Sequence, residues 1–243
     1  MLRMRTIIGL AMALVWFAGS ATAGVYMKQK VTQPEVKDKK DIEQMTEMWV
    51  TPTRIRYNAG DQSSIFDAEK NLMITIDHAK KEYMEIPLDF SVASASTDQQ
   101  SMNNLPGFMK NMMKMEVTVQ PTGEKKEIGQ WSCEKYLQTV KMPMVSMESE
   151  IWATQDIHVN MDVYKKFNAA LMASQPGFFK IFGDMMKESE KIKGIPVFQK
   201  TMSKAMGKTA ETTTELIEVK ETEVPANLFT VPAGYKKEKF KED

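Results

Sequence analysis

The stretch from Ile42 to Ile86 constrains the fold more than any other part of the chain. It holds five short runs rich in β-branched and aromatic residues, separated by turn signals at Pro52-Thr53, Asn58-Ala59-Gly60-Asp61, Glu69-Lys70-Asn71 and His78-Ala79-Lys80. Short runs at a spacing of about ten residues are typical of an antiparallel meander. In the fourth run, Leu72, Ile74 and Ile76 point to one side and the residues between them to the other. The pattern therefore predicts a sheet with one buried face and one face at least partly exposed to water.

The N-terminal residues have the organisation of a secretory signal peptide. Arg3 and Arg5 form a basic start, an apolar run covers Ile7 to Phe17, and the small residues Ala21-Thr22-Ala23 follow. This order predicts cleavage after Ala23, with residues 1–23 as signal peptide and residues 24–243 as one periplasmic domain. The apolar run is too short to cross a bilayer comfortably, so we expect no stable membrane insertion after cleavage.

Charge and cysteine content exclude several classes of partner and of stabilisation. The chain has 32 basic and 32 acidic residues, and removal of Arg3 and Arg5 leaves a small negative balance. Such a balance argues against nucleic acid or an anionic membrane surface as the partner. The single cysteine, Cys133, cannot form an internal disulfide, and we expect it to be a small buried apolar side chain.

Further strands are predicted on both sides of the meander. Val25 to Val31 alternates and predicts the first strand. Later strands are predicted at Glu116–Gln120, ending in a turn at Pro121–Glu124, and then at Met147–Ala153, Val197–Met202 and Thr212–Lys220. A long strand or a strand pair is predicted over Glu127–Met142. The charged tail from Lys236 to Asp243 is expected to fray.

Two segments change to helical spacing, near residues 105–115 and 161–192. Each includes a Pro-Gly start followed by an aromatic and methionine face with lysines outside, at Pro106 and Pro176. Val163, Phe167 and Leu171 form another apolar helical face. We expect these helices to cover the open face of the sheet.

Enzymatic motifs are missing from the sequence. Of the two histidines, His78 stands beside Asp77 at a predicted turn and His158 follows Asp156, and we expect both at the surface. The sequence has no His-Glu-x-x-His, no Cys pair, no Gly-x-Ser-x-Gly and no phosphate-binding glycine loop. We therefore predict no enzyme, no catalytic residue, no metal site and no cofactor.

Methionine is unusually frequent, with 22 residues in the chain. Flexible thioethers suit surfaces that adapt to variable apolar ligands, but they also fill gaps in ordinary cores. Thioethers additionally select Cu(I). Cu(I) binding is therefore a third interpretation, although no histidine stands beside either of the two methionine clusters. These clusters are Met109, Met112, Met113 and Met115, and Met142, Met144 and Met147.

Five ordered motifs resemble an uncharacterised family of exported bacterial proteins, a domain of unknown function. They lie at residues 57–67, 74–83, 128–136, 150–154 and 228–235. This family is similar in layout to the lipoprotein-carrier (LolA/LolB-like) superfamily. The resemblance implies a periplasmic half-barrel closed by helices over a hydrophobic cavity, carries over no catalytic residue, and makes Cys133 structural.

The sequence thus predicts an α+β fold, a curved antiparallel β half-barrel with a helical lid on its concave face. The leading function is a non-enzymatic periplasmic binder or carrier of an apolar ligand, a lipid or an acylated protein. The alternatives are an envelope interaction module without a cavity and a methionine-rich Cu(I) binder. The predicted ligand-lining residues are Phe108, Met109, Met112, Met113, Phe178, Phe182 and Met185.

Overall fold

The computed structural model describes residues 21–34, 41–88, 116–142, 144–173, 182–205 and 207–239. These residues form twelve strands and two α-helices. The strands are β1 (Ala21–Pro34), β2 (Asp41–Val50), β3 (Arg54–Ala59), β4 (Gln62–Asp67), β5 (Leu72–Asp77), β6 (Glu82–Pro87), β7 (Glu116–Ile128), β8 (Trp131–Lys141), β9 (Val145–Thr154), β10 (Ile195–Ala205), β11 (Lys208–Pro225) and β12 (Lys236–Glu238). The helices are α1 (Met161–Ala173) and α2 (Phe182–Ser189), and a 3-10 turn covers Ala226–Phe229.

All twelve strands belong to one curved sheet in the order β12-β6-β5-β4-β3-β2-β1-β11-β10-β9-β8-β7. Neighbouring strands are antiparallel except for β12, which pairs in parallel with β6. The two ends of this order, β12 and β7, do not pair within the described residues, so the sheet is open. Strands predominate among the described residues. The predicted α+β class is therefore correct only in part, because the structure is mostly β with few helices.

The predicted meander is confirmed, since β2 to β6 pair in chain order. However, the alternation predicts a second face that is at least partly exposed to water, and this face is more buried than expected. Phe66 and Met73 are fully buried on the face that α1 covers, but Ile65 and Ile76 on the opposite face are also buried. The C-terminal segment approaches this opposite face, where the Arg54 guanidinium lies 5.1 Å from the ring centroid of Phe229. The meander is therefore protected on both sides.

Helix α1 forms the core with the sheet face that it covers. Val163 and Phe167 are buried there, as their spacing predicts, and Leu171 is half-buried. The Phe167 ring centroid lies 6.0 Å from that of Tyr57 and 6.3 Å from that of Phe66. Such tilted ring contacts add to the apolar burial. Helices α1 and α2 both lie within residues 161–192, whereas the predicted insertion near 105–115 lies outside the described residues.

Cys133 is fully buried in the same core, as predicted. Burial raises the pKa of its thiol, which keeps the sulfur protonated and unreactive.

Two predictions about strand limits are wrong. The Pro121–Glu124 segment is not a turn but an irregularity inside β7, because β8 pairs with β7 on both sides of it. The tail does not fray at its start, because residues 236–238 pair with β6 as β12 and the Lys236 N–H donates to the Lys81 carbonyl. A short edge strand with two lysines disfavours further strand addition.

The other edge of the sheet, β7, lies against α2. The Val119 N–H donates to the Glu188 carboxylate over 2.7 Å. The pKa of the Glu188 carboxyl is lowered chiefly by its hydrogen bond from Lys191. The hydrogen bond from this backbone N–H is the second cause. The contact occupies one of the edge groups that would otherwise accept a foreign strand.

Two sequence predictions concern the start of the chain and the membrane. Residues 21–23 begin β1 and pair with the end of β11, while cleavage after Ala23 stays a prediction. No helix in the described ranges is long and apolar enough to cross a membrane.

Candidate functional site

The seven predicted ligand-lining side chains all lie outside what the structure describes. Phe108, Met109, Met112, Met113 and Phe178 are in ranges that it omits. Phe182 and Met185 fall within the backbone limits of α2, but their side chains are not described. A ligand pocket beneath the two Pro-Gly segments therefore stays a prediction.

The described residues form an open cleft of about 710 Å³, which we call the cavity, at a different place. It lies where β1 begins, β2 ends and β11 approaches its end, next to the loop that leads into α1. Its lining comes from four separate segments: Ala23, Gly24 and Val25; Val50, Thr51 and Pro52; His158, Val159 and Asn160; and Glu221, Thr222 and Glu223. Pockets of about 300–1,000 Å³ commonly hold small ligands.

The strand register brings apolar and acidic residues to one side of this cavity. Val25 pairs with Val50 on β2 and with Glu221 on β11, and Ala23 pairs with Glu223. Residues directly opposite each other in an antiparallel pair share a face of the sheet. The valine wall, which is buried, therefore continues into two carboxylates.

Gly24 allows the strands beside the cavity to approach closely. A Cβ atom at this position would lie 2.5 Å from the Val50 carbonyl oxygen and 2.8 Å from a methyl carbon of Val224. A larger side chain would push the strands apart, so the shape of the wall depends on glycine.

Asn160 connects the cavity to helix α1. Its Oδ1 accepts hydrogen bonds from the N–H groups of Asp162 (3.2 Å) and Val163 (3.3 Å), which makes it the N-cap of the helix. Its Nδ2 donates to the Pro52 carbonyl over 2.9 Å. One side chain therefore fixes both the start of α1 and the turn after β2.

The rim of the cavity is acidic. Glu221, Glu223 and His158 are exposed, and the lining holds no lysine or arginine. Among the described residues, no basic group lies within ion-pair distance of Glu221 or Glu223. The cavity thus offers hydrocarbon contacts at its wall and negative charge at its mouth.

A second polar group of residues, which we call the sealed cluster, consists of Arg56, Ser63, His78 and Tyr235. The Arg56 guanidinium donates to the Ser63 hydroxyl over 2.7 Å, and that hydroxyl lies 2.6 Å from His78 Nε2. His78 Nδ1 lies 2.9 Å from the Tyr235 hydroxyl. His78 is thus half-buried and contacted at both ring nitrogens, so its prediction as a simple surface histidine is wrong. His158 is exposed, as predicted.

The sealed cluster contains a Ser–His pair but lacks the access that a nucleophile needs. Ser63 is 2% exposed, and its oxygen already contacts Arg56 and His78. Burial lowers the pKa of Arg56, whose Nε donates to Asn58. A substrate would have to displace the C-terminal segment to reach Ser63. The cluster is therefore best explained as support for that segment.

Metal binding finds no additional support from the described residues. There, no three His, Cys, Asp or Glu side chains form a group that could hold an ion. Met142, Met144 and Met147 flank the turn between β8 and β9, and Met144 is 60% exposed. The cluster near Met112 is not described, so Cu(I) binding stays an untested alternative.

The fold defines the class of protein as an open, mostly antiparallel sheet with a helix packed on one face. The chain belongs to a family described as a domain of unknown function, DUF4412, whose model matches residues 10–235. This confirms the uncharacterised family that the motifs indicate. No curated protein matches the chain.

Solved structures with similarity to the chain are remote. PNGF-II is 12% identical with a TM-score of 0.44, and the match covers 90% of this chain but 31% of PNGF-II, so the chain spans about a third of that protein. The LolA superfamily protein NE2245 from Nitrosomonas europaea is 7% identical, with a TM-score of 0.32 and coverage of 85% and 90%. A DUF1329 family protein from Desulfovibrio piger is 8% identical, with a TM-score of 0.34 and coverage of 86% and 90%.

Proposed function

We propose that the protein is a non-enzymatic periplasmic binder or carrier of an apolar ligand, a lipid or an acylated protein. The observation that carries this proposal is the cavity of about 710 Å³ with its valine wall. Each CH₂ group that leaves water for such a wall contributes about 0.8 kcal/mol. A short hydrocarbon chain could therefore be held by shape and burial, without a reaction.

Helix α1 supports this function by its position. It covers the same face of the sheet that the cavity opens on, and Asn160 joins its first turn to the cavity rim. The cavity lining includes Val50, a buried member of the main core, and Val159, which is partly buried and packs against that core. In this proposal, α1 acts as part of the helical lid of a half-barrel.

Native mass spectrometry of mature protein purified from a periplasm tests the proposal. We expect excess mass that is released as lipid, or mass gained when lipid is added to the empty protein. A bare mass that stays unchanged after lipid addition would contradict the proposal and favour an envelope interaction module.

Two matched variants locate the binding. Val159→Asp places a charge in the cavity wall, and Val145→Asp makes the same change at another half-buried valine outside the lining. We expect lipid retention to fall only in Val159→Asp, with both variants folded by circular dichroism. Loss in Met112→Asp with Phe182→Asp, but not in Val159→Asp, would move the site to the predicted helices instead.

A further inference from the structure

We propose that α2 and residues 190–193 form a detachable latch on the edge of the sheet, which opens while the sheet stays folded. The latch is held by polar contacts at Glu188 and Tyr136 and by the side chain of Ile192. The inference goes beyond the proposed function and does not depend on it, because it concerns the β7 edge and not the cavity.

The first observation is the position of the latch at an end strand. β7 is the last strand in the order of the sheet, so one side of its backbone has no strand partner among the described residues. The Val119 N–H donates to the Glu188 carboxylate over 2.7 Å. A helix, rather than a neighbouring strand, therefore supplies the acceptor for this edge amide.

The second observation is that both polar contacts leave a side-chain partner behind when they separate. Lys191 Nζ lies 2.7 Å from both oxygens of the Glu188 carboxylate, and it belongs to the latch itself. On the sheet, the Tyr136 hydroxyl accepts from the Lys193 N–H and donates to the Glu134 carboxylate, each over 3.3 Å. Because an unsatisfied polar group is costly, a contact that leaves the carboxylate and the hydroxyl paired separates more easily.

The third observation is that the latch packs on a small apolar cluster that is separate from the main core. The cluster consists of Val119, Tyr136, Ile151 and Ala153, and Ile192 of the latch is half-buried against it. Ile192 can therefore leave this cluster without disturbing the packing beneath α1. Met186, which is half-buried against the main core, and the Lys165 ammonium, which donates to the Glu190 carbonyl over 3.2 Å, hold the latch on its α1 side.

These contacts make the latch a unit that opens locally. Local openings have lower free energies than global unfolding, and the elements that move in function are drawn from them. Opening returns the Val119 N–H to the edge of the sheet and uncovers the small cluster. The position of the latch thus decides whether the β7 edge is covered, and a covered edge resists strand addition.

Hydrogen exchange of single amides, followed by NMR on the mature chain at neutral pH, tests the inference. Glu188→Ala removes the acceptor of the Val119 amide, and we expect that amide to exchange about tenfold to hundredfold faster, as for loss of a hydrogen bond to a charged group. The amides in the middle of β9 should keep their native protection. Glu188→Gln keeps an acceptor oxygen without the charge and should give a smaller acceleration, so it serves as the test if the alanine variant does not fold.

Glu190→Ala is the matched control, because it removes an exposed carboxylate of the same latch. It should leave the exchange of the Val119 amide unchanged. Unchanged exchange of this amide in Glu188→Ala would overturn the inference, since the carboxylate would not hold the edge. Equal acceleration of the Val119 and β9 amides would also overturn it, because the latch would then open only together with the sheet.

Discussion

The sealed cluster and the cavity both contain polar side chains, but the partners of those side chains differ. In the sealed cluster, Ser63 and His78 find their partners within the chain and are covered by the C-terminal segment. At the cavity, Glu221 and Glu223 have no basic partner among the described residues and stay exposed. Polar groups of the first kind stabilise the native chain, whereas those of the second kind are available to a ligand.

This difference separates two classes of variant. Removal of a partner inside the sealed cluster leaves a buried donor or acceptor unsatisfied, which costs stability. Removal of a cavity carboxylate leaves nothing unsatisfied, so the effect should be confined to binding. The contrast can be tested from its largest expected effect downwards.

Ser63→Ala should give the largest loss. The change removes the oxygen that both Arg56 and His78 contact, and it leaves a buried guanidinium with one partner fewer. We expect the free energy of unfolding to fall by about 2–3 kcal/mol, measured by urea denaturation. Ser64→Ala, on the opposite face of the same strand, is the control and should cost clearly less. Equal losses would show that the cluster contributes nothing beyond ordinary burial.

Asn160→Ala should have an intermediate effect, because it acts on the edge of the cavity and on α1 together. Loss of the N-cap and of the bond to Pro52 should cost about 1–2 kcal/mol. The first-turn amides of α1 should exchange faster with solvent, as measured by hydrogen exchange. Asn160→Asp keeps the capping oxygen and should restore most of this protection. Failure of the aspartate to do so would place the effect in the Pro52 contact rather than in the cap.

Tyr235→Phe should weaken the cover of the sealed cluster more gently. It removes only the hydroxyl that contacts His78 Nδ1, so we expect a loss of about 1 kcal/mol. Limited proteolysis should cut the segment after Pro225 faster than in the native chain. Unchanged proteolysis would mean that the segment is held by Phe229 and β12 without this contact.

Much of the fold could be predicted because it is specified locally. Alternation and turn residues indicate β2 to β6, and the spacing of Val163, Phe167 and Leu171 indicates α1. Non-local pairing accounts for the errors. Pro121–Glu124 has the composition of a turn, yet β8 holds the chain on both sides of it, and Lys236–Glu238 becomes a strand only because β6 offers a free edge.

The candidate site was not predictable in the same way. Its lining is drawn from distant segments that only the pairing of β1 with β2 and β11 brings together. Glu221 and Glu223 have the pattern of a water-exposed strand face, and Val25 and Val50 have that of a core. The absence of a counter-charge, which distinguishes these glutamates from Glu215, becomes visible only when neighbouring strands are known.

The smallest expected effect on stability is the most informative about function. Glu221→Gln with Glu223→Gln should change the free energy of unfolding by no more than about 0.5 kcal/mol, measured by urea denaturation, because exposed carboxylates without partners contribute little to folding. The same variant should change lipid retention, measured by native mass spectrometry. Glu215→Gln, which removes an ion pair with Lys30 at 3.4 Å, is the control and should leave lipid retention unchanged. A loss above about 1 kcal/mol in the double variant would give the cavity carboxylates a structural role, since polar groups that matter only to a ligand should not matter to the empty fold.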